Sequence, residues 1–137
     1  MGGGKFEAAV VQALALVMLD LSKWAQDVLL FTTAEFAFFR VPRELCDGSS
    51  IMPQKRNLSA LELVRARART VIALQGQMLG ILAGLPSGYN MDYQETKAPL
   101  FEALALTGES LEVVRLFAAG LQLDRERLEM ACTAELF

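Results

Sequence analysis

The chain of 137 residues contains no histidine, one tryptophan, two tyrosines, four prolines and only two cysteines. The side chain that most often serves as general acid or base at neutral pH is therefore missing. Any proton transfer that needs an imidazole has to borrow it from elsewhere. Cys46 and Cys132 stand alone, follow no metal-ligand spacing and suit a reduced, cytoplasmic setting. With no imidazole to activate it, Cys46 reads as an incidental thiol rather than a nucleophile. Basic residues are not concentrated either: the net charge is -3, and Arg65, Arg67 and Arg69 form a small cluster with no stacking aromatics between them. A nucleic-acid footprint is excluded on that ground, and the three arginines read as a solvated or subunit-facing stripe.

Long uninterrupted apolar runs are lacking as well. The first apolar stretch is broken by Gln12, Asp20, Lys23 and Asp27, which reads as a buried helix of a soluble protein rather than a membrane span. Phe6 stands where an N-terminal myristoylation signal needs Ser or Thr. No membrane partner is expected.

What is abundant is hydrophobicity, at 53% of residues against 21% charged. A few short helices cannot cover all of one another's apolar faces, so self-association is expected. From Lys5 to Phe31 there is no internal Gly or Pro, and Val10, Leu14, Val17, Leu21, Trp24, Val28 and Phe31 recur at helical steps. Phe36, Phe38 and Phe39 then crowd together, as aromatics plugging the end of a bundle do. Ser59 and Glu62 have the S-x-x-E form of a capping box, with Leu58 and Leu63 as its staple. They predict a second helix running through Leu63, Ala66, Val71, Leu74, Met78 and Ile81 to a stop at Gly84. A third helix is expected from about Asp92 to Gly120, with Pro99 in its first turns and Leu100, Leu104, Leu111, Val114 and Phe117 on its core side. Asp124 caps a last helix. No strand pattern is evident. The fold class is all-α, a long-helix bundle, with three long helices and one short one joined by two polar loops.

Those loops hold nearly all the residues capable of chemistry. The first runs Gly48-Ser49-Ser50-Ile51-Met52-Pro53-Gln54-Lys55-Arg56-Asn57. Gly48 and Pro53 mark it as structured but non-helical, and it reads as a lid. The second runs from Gly84 to Lys97 and contains L-P-S-G-Y-N-M-D-Y-Q-E-T-K.

The first loop resembles the signature of the fumarase/aspartase superfamily, and the second is similar to the L-P-x-x-Y-N-x-D-x-Q-E-x-K run of its argininosuccinate lyase branch. The resemblance covers nearly the whole chain. It implies a partial central helical domain over residues 1–120, carrying the signature loop (44–58) and a second substrate loop (84–97), and the start of a C-terminal helical domain at 121–137. It also implies reversible cleavage of argininosuccinate to arginine and fumarate, without metal or organic cofactor, in a homotetramer whose sites combine three subunits.

Site residues follow from the same resemblance. Ser49 would be the catalytic serine, Lys55 and Asn57 would meet the succinyl carboxylates beside Ser50, and Glu62 would support a catalytic histidine. Tyr89, Gln94 and Lys97 would bind substrate. Three positions depart from the pattern: Leu58 stands where a proline is usual, and Met91 and Tyr93 are unusual in the second run. The superfamily's histidine comes from segments preceding this stretch, so the isolated chain is expected to be inactive. Adenylosuccinate lyase shares the first loop but not the Tyr89-to-Lys97 pattern. A non-catalytic assembly protein of the lens-crystallin kind is the alternative outside the enzyme class.

Overall fold

The computed structural model describes residues 2–47 and 58–136. Four α-helices follow in order: α1 (Lys5–Phe31), α2 (Ser59–Leu82), α3 (Lys97–Gly120) and α4 (Arg125–Leu136). Short 3-10 turns lie at Arg43–Leu45 and at Met91–Thr96, the latter leading directly into α3. The all-α bundle is as the sequence predicts. One feature is not: Phe39–Arg40 (β1) pairs antiparallel with Gln122–Leu123 (β2). Two residues a side are too few to leave an alternating pattern in a sequence.

Two apolar clusters set the directions of the helices. Ala8, Val11, Ala15 and Met18 of α1 pack with Ala68, Val71, Leu74 and Met78 of α2 and with Ala103 of α3. Ala25 and Val28 pack with Leu58, Leu61, Val64 and Phe117. The first half of α1 thus meets the second half of α2 and the first half of α3. Accordingly α2 runs antiparallel to both neighbours. Met18, Leu61 and Met78 are among the largest fully buried side chains, each contributing about 1.5–3 kcal/mol through burial.

The buried faces match the expected periodicity only in part: Leu14, Leu21, Trp24, Val28, Leu100, Val114 and Phe117 lie in or against the two clusters as expected, and other positions do not. In α1 the core side is Ala8, Val11, Ala15, Met18, Ala25 and Val28, while Val17 is exposed. In α2, Leu61, Val64 and Ala68 are buried in place of Leu63 and Ala66, and the later positions Val71, Leu74 and Met78 fall as expected. In α3, Pro99, Ala103, Thr107, Ser110 and Phe117 face inward, and Leu104 and Leu111 face outward. A helix that is apolar on most sides gives hydrophobicity no basis for choosing a face. Small side chains choose it, because they let helix axes approach closely. By length and composition α1 would also pass for a membrane span, although Asp20, Lys23 and Asp27 project from its exposed surface.

The start of α2 also departs from expectation. Ser59 is already helical, and the cap position falls to Leu58, with no side-chain cap hydrogen bond. The Leu61 and Glu62 amides donate to the Leu58 carbonyl instead. No capping box forms, because the box needs its serine outside the helix. Nor is there a staple: Leu58 is buried in the lower cluster, while Leu63 is 56% exposed. Asp124 does cap α4, its Oδ1 accepting from the Arg127 amide at 3.2 Å.

At the end of α1, the rings of Phe31, Phe36, Phe38 and Phe39 meet with centroids 5.5–5.7 Å apart, the expected aromatic plug. Arg65 donates to Gln26 Oε1 on α1, and Arg67 pairs with Glu109 on α3 at 2.6 Å. Partly exposed, these contacts orient the helices more than they stabilise them.

Two buried hydroxyls, Thr107 Oγ1 and Ser110 Oγ, find no hydrogen-bond partner among the described residues. Burying an unpaired hydroxyl is unfavourable, whereas a methyl of the same shape suits this helix face. Thr107→Val is therefore expected to raise the unfolding free energy by about 1 kcal/mol. Urea denaturation followed by circular dichroism measures it, and a lower midpoint would show that the hydroxyl is paired.

Candidate functional site

The second loop leads from α2 into α3. α2 ends at Leu82, and Gly84 and Gly88 take positive φ of 75° and 92°, which their missing Cβ permits. Asn90 Nδ2 donates to the carbonyls of Pro86 at 3.1 Å and Gly88 at 3.3 Å, so the turn is closed by a side chain. Tyr89 lies on the outside, 65% exposed. Its phenol oxygen accepts from Gln94 Nε2 at 2.6 Å, and its ring lies 5.9 Å from that of Tyr93. Lys97 opens α3 three residues after Gln94, and both are exposed. The structure thus brings Tyr89 and Gln94 together and sets Lys97 one helical step beyond. A phenol, an amide and a cation grouped this way offer hydrogen bonds and positive charge to an anionic or polar ligand.

Glu62 stands apart from them. It is exposed in the first turn of α2, at the opposite end of that helix. Twenty-four residues of helix separate the two ends, or about 36 Å at 1.5 Å per residue. Ser49, Ser50, Lys55 and Asn57 fall outside the described residues.

At the same end as Glu62 lies a cleft of about 560 Å³ between β1, β2 and the start of α4. Arg40, Arg125 and Arg127 line it together with Asp124, Glu126, Cys46 and Leu58. Glu62, Tyr89, Gln94 and Lys97 take no part in it. Cys46 Sγ is turned to the Pro42 carbonyl at 3.4 Å. Among the described residues, a hydrogen bond from Arg115 holds the exposed Glu112 carboxyl below its ordinary value.

Sequence reasoning passed over Asn90 and Tyr93, whose side chains both donate to the Gly88 carbonyl. An asparagine two residues after a glycine in a Pro-Ser-Gly turn was the available signal.

The profile described as Lyase matches residues 5–73, from the start of α1 to the middle of α2. The chain belongs to this lyase family, within the fumarase/aspartase superfamily. Its curated relatives include argininosuccinate lyases. That of Thermus thermophilus is 43% identical over 123 residues, covering 90% of this chain and 27% of the relative. That of Rhodopirellula baltica is 44% identical over 116 residues, covering 84% and 25%. That of Thermotoga neapolitana is 35% identical over 133 residues, covering 97% and 33%. The chain spans a quarter to a third of the length of these relatives. Among solved structures, an EDDS lyase variant with bound fumarate superposes with a TM-score of 0.64 at 25% identity, covering 88% of this chain and 24% of that one.

Proposed function

We propose that this chain supplies the helical-bundle part of an argininosuccinate lyase-type enzyme, which cleaves argininosuccinate reversibly to arginine and fumarate. Residues 1–120 would form part of the central helical domain, and residues 121–137 would open the C-terminal one. The observation that carries this reading is the grouping of Tyr89, Gln94 and Lys97 on the second loop, in a chain 43% identical to an argininosuccinate lyase over 123 residues. Glu62 and the second loop lie at opposite ends of α2, about 36 Å of helix apart, which favours a site that combines different copies. A homo-oligomer, and within that class a tetramer, is the assembly proposed. The two separate thiols suit a reducing cytoplasm.

The chemistry accounts for the residue types. A base takes the C–H proton beside one succinyl carboxylate, and the electron pair left behind spreads into that carboxylate. The C–N bond then breaks, the carbon skeleton leaves as fumarate, and the guanidinium nitrogen receives a proton from a general acid. Ser49 is the proposed base, Lys55 and Asn57 stabilise the doubly charged intermediate, and Ser50 joins them at the carboxylates. A serine acts as base only in a cationic, water-excluded setting, which closure of the signature loop over the substrate would provide. Glu62 would orient a histidine that this chain does not contain. Tyr89, Gln94 and Lys97 would bind the substrate from a neighbouring copy. No metal or organic cofactor has a step in this scheme.

Reconstitution tests the reading. The chain alone is expected to release no fumarate from argininosuccinate. Co-expressed with the remainder of the Thermus thermophilus enzyme, it should yield ultraviolet-detectable fumarate. A folded mixed assembly without turnover would instead favour a non-catalytic helical assembly protein. Release of fumarate from adenylosuccinate alone would move the assignment to the adenylosuccinate branch.

A further inference from the structure

We propose that Asn90 is a positioning residue that sets the Tyr89 phenol for substrate, an inference that rests on the proposed role of Tyr89. Asn90 is half-buried at the base of the second loop, and its side chain reaches the two carbonyls that define the turn, those of Pro86 and Gly88. Between these anchors the backbone passes through the positive φ of Gly88 and emerges at Tyr89. The Gly88 carbonyl takes a second donor, the Tyr93 hydroxyl at 3.4 Å, and the Tyr93 amide donates to the Asn90 carbonyl at 3.2 Å. Tyr89 is thereby fixed on two sides. Asn90 determines where its backbone leaves the turn, and Tyr93 and Gln94 hold the ring and the oxygen.

Asn90 is the side chain that bridges both carbonyls of the turn. Neither apolar cluster includes a residue from 83 to 96, and within that span only Thr96 at its end is buried, so polar contacts set the turn from Pro86 to Asn90. An exposed tyrosine on such a loop has many rotamers and backbone placements open to it, and ordering it in advance removes that cost from binding. Asn90 is suited to the role because both of its amide hydrogens have acceptors within the turn. Asn90→Asp keeps the shape, removes both donors and sets a negative charge against two carbonyl oxygens. The turn should open without disturbing the helices.

Two measurements test this. In the chain itself, nuclear magnetic resonance should show Tyr89–Tyr93 ring contacts in the parent and their loss in Asn90→Asp, with the thermal midpoint unchanged. In the reconstituted enzyme, Asn90→Asp should raise KM for argininosuccinate about tenfold and leave kcat within about threefold, the pattern of a lost binding arrangement. Tyr89→Phe serves as the reference. If Tyr89→Phe raises KM but Asn90→Asp changes neither KM nor the ring contacts, the role of Asn90 is overturned while that of Tyr89 stands. If Tyr89→Phe leaves KM unchanged, the reading of Tyr89 fails and the proposal goes with it. A fall in thermal midpoint or in kcat at constant KM would mark Asn90 as merely structural. Should reconstitution yield no enzyme, ring contacts that persist in Asn90→Asp overturn the proposal by themselves.

Discussion

Mixing two crippled forms of the reconstituted enzyme, one with Ser49→Ala and one with Lys97→Ala, is expected to return about a quarter of the parental activity. The expectation comes from the length of α2. Its 24 residues put Glu62 and the second loop about 36 Å apart, and in the proposed assembly each site draws the signature segment and the second loop from different copies. In random one-to-one assembly, half of all sites receive an intact first loop, and half of those receive an intact second one. If both loops served the same site from one chain, every site would carry one defect and mixing would restore nothing. Removing a catalytic base typically costs about 10²–10⁴ in rate, so the Ser49→Ala background is low enough for a quarter recovery to stand out. Mixed oligomers verified by mass spectrometry that still lack activity would refute the shared-site arrangement.

The second large effect concerns association. Several large apolar side chains of the described helices are exposed. On α3 the outward positions Phe101, Leu104 and Leu111 follow one another at helical steps and are 62%, 44% and 46% exposed. On α2, Leu63, Ile72 and Leu79 are similarly open. Surfaces of this kind are covered in an assembly. Leu104→Lys combined with Leu111→Lys is expected to convert an associated parent into 15.0 kDa monomers in sedimentation velocity, since each buried leucine is worth about 1.5–3 kcal/mol and each buried lysine opposes association. The monomer should remain helical, because neither residue belongs to either apolar cluster. A parent that sediments as a monomer, or a double variant that sediments like its parent, would remove the proposed interface.

These two outward leucines also show where sequence reading stops. Leu104 and Leu111 were expected on the core side of α3, yet Ala103, Thr107 and Ser110 occupy it, while Phe117 is buried and Leu100 and Val114 pack against the clusters as expected. The periodicity held, and the face was right only in part. Small residues on the inner face of α3 let the helix axes approach, which leaves Leu104 and Leu111 outward. The same shift accounts for Ala8 and Ala15 being buried in α1 while Val17 is not. The capping box at Ser59 failed for a related reason. A buried Leu58 sets where α2 begins, and tertiary burial outweighs a local hydrogen bond of about 1 kcal/mol.

The sequence by itself determined the helices, their approximate ends, the aromatic plug, the Asp124 cap and the two motif loops, because these depend on residues close together in the chain. Family membership was likewise legible, since a ten-residue motif is a local pattern. Only the tertiary structure decided which face of each helix is buried, how far Glu62 stands from the second loop, and that Asn90 and Tyr93 both hold the Gly88 turn. Those are properties of packing and of three-dimensional distance. A helical period specifies a repeat without specifying its partner, and a motif carries no information about how many ångströms of helix separate it from the next.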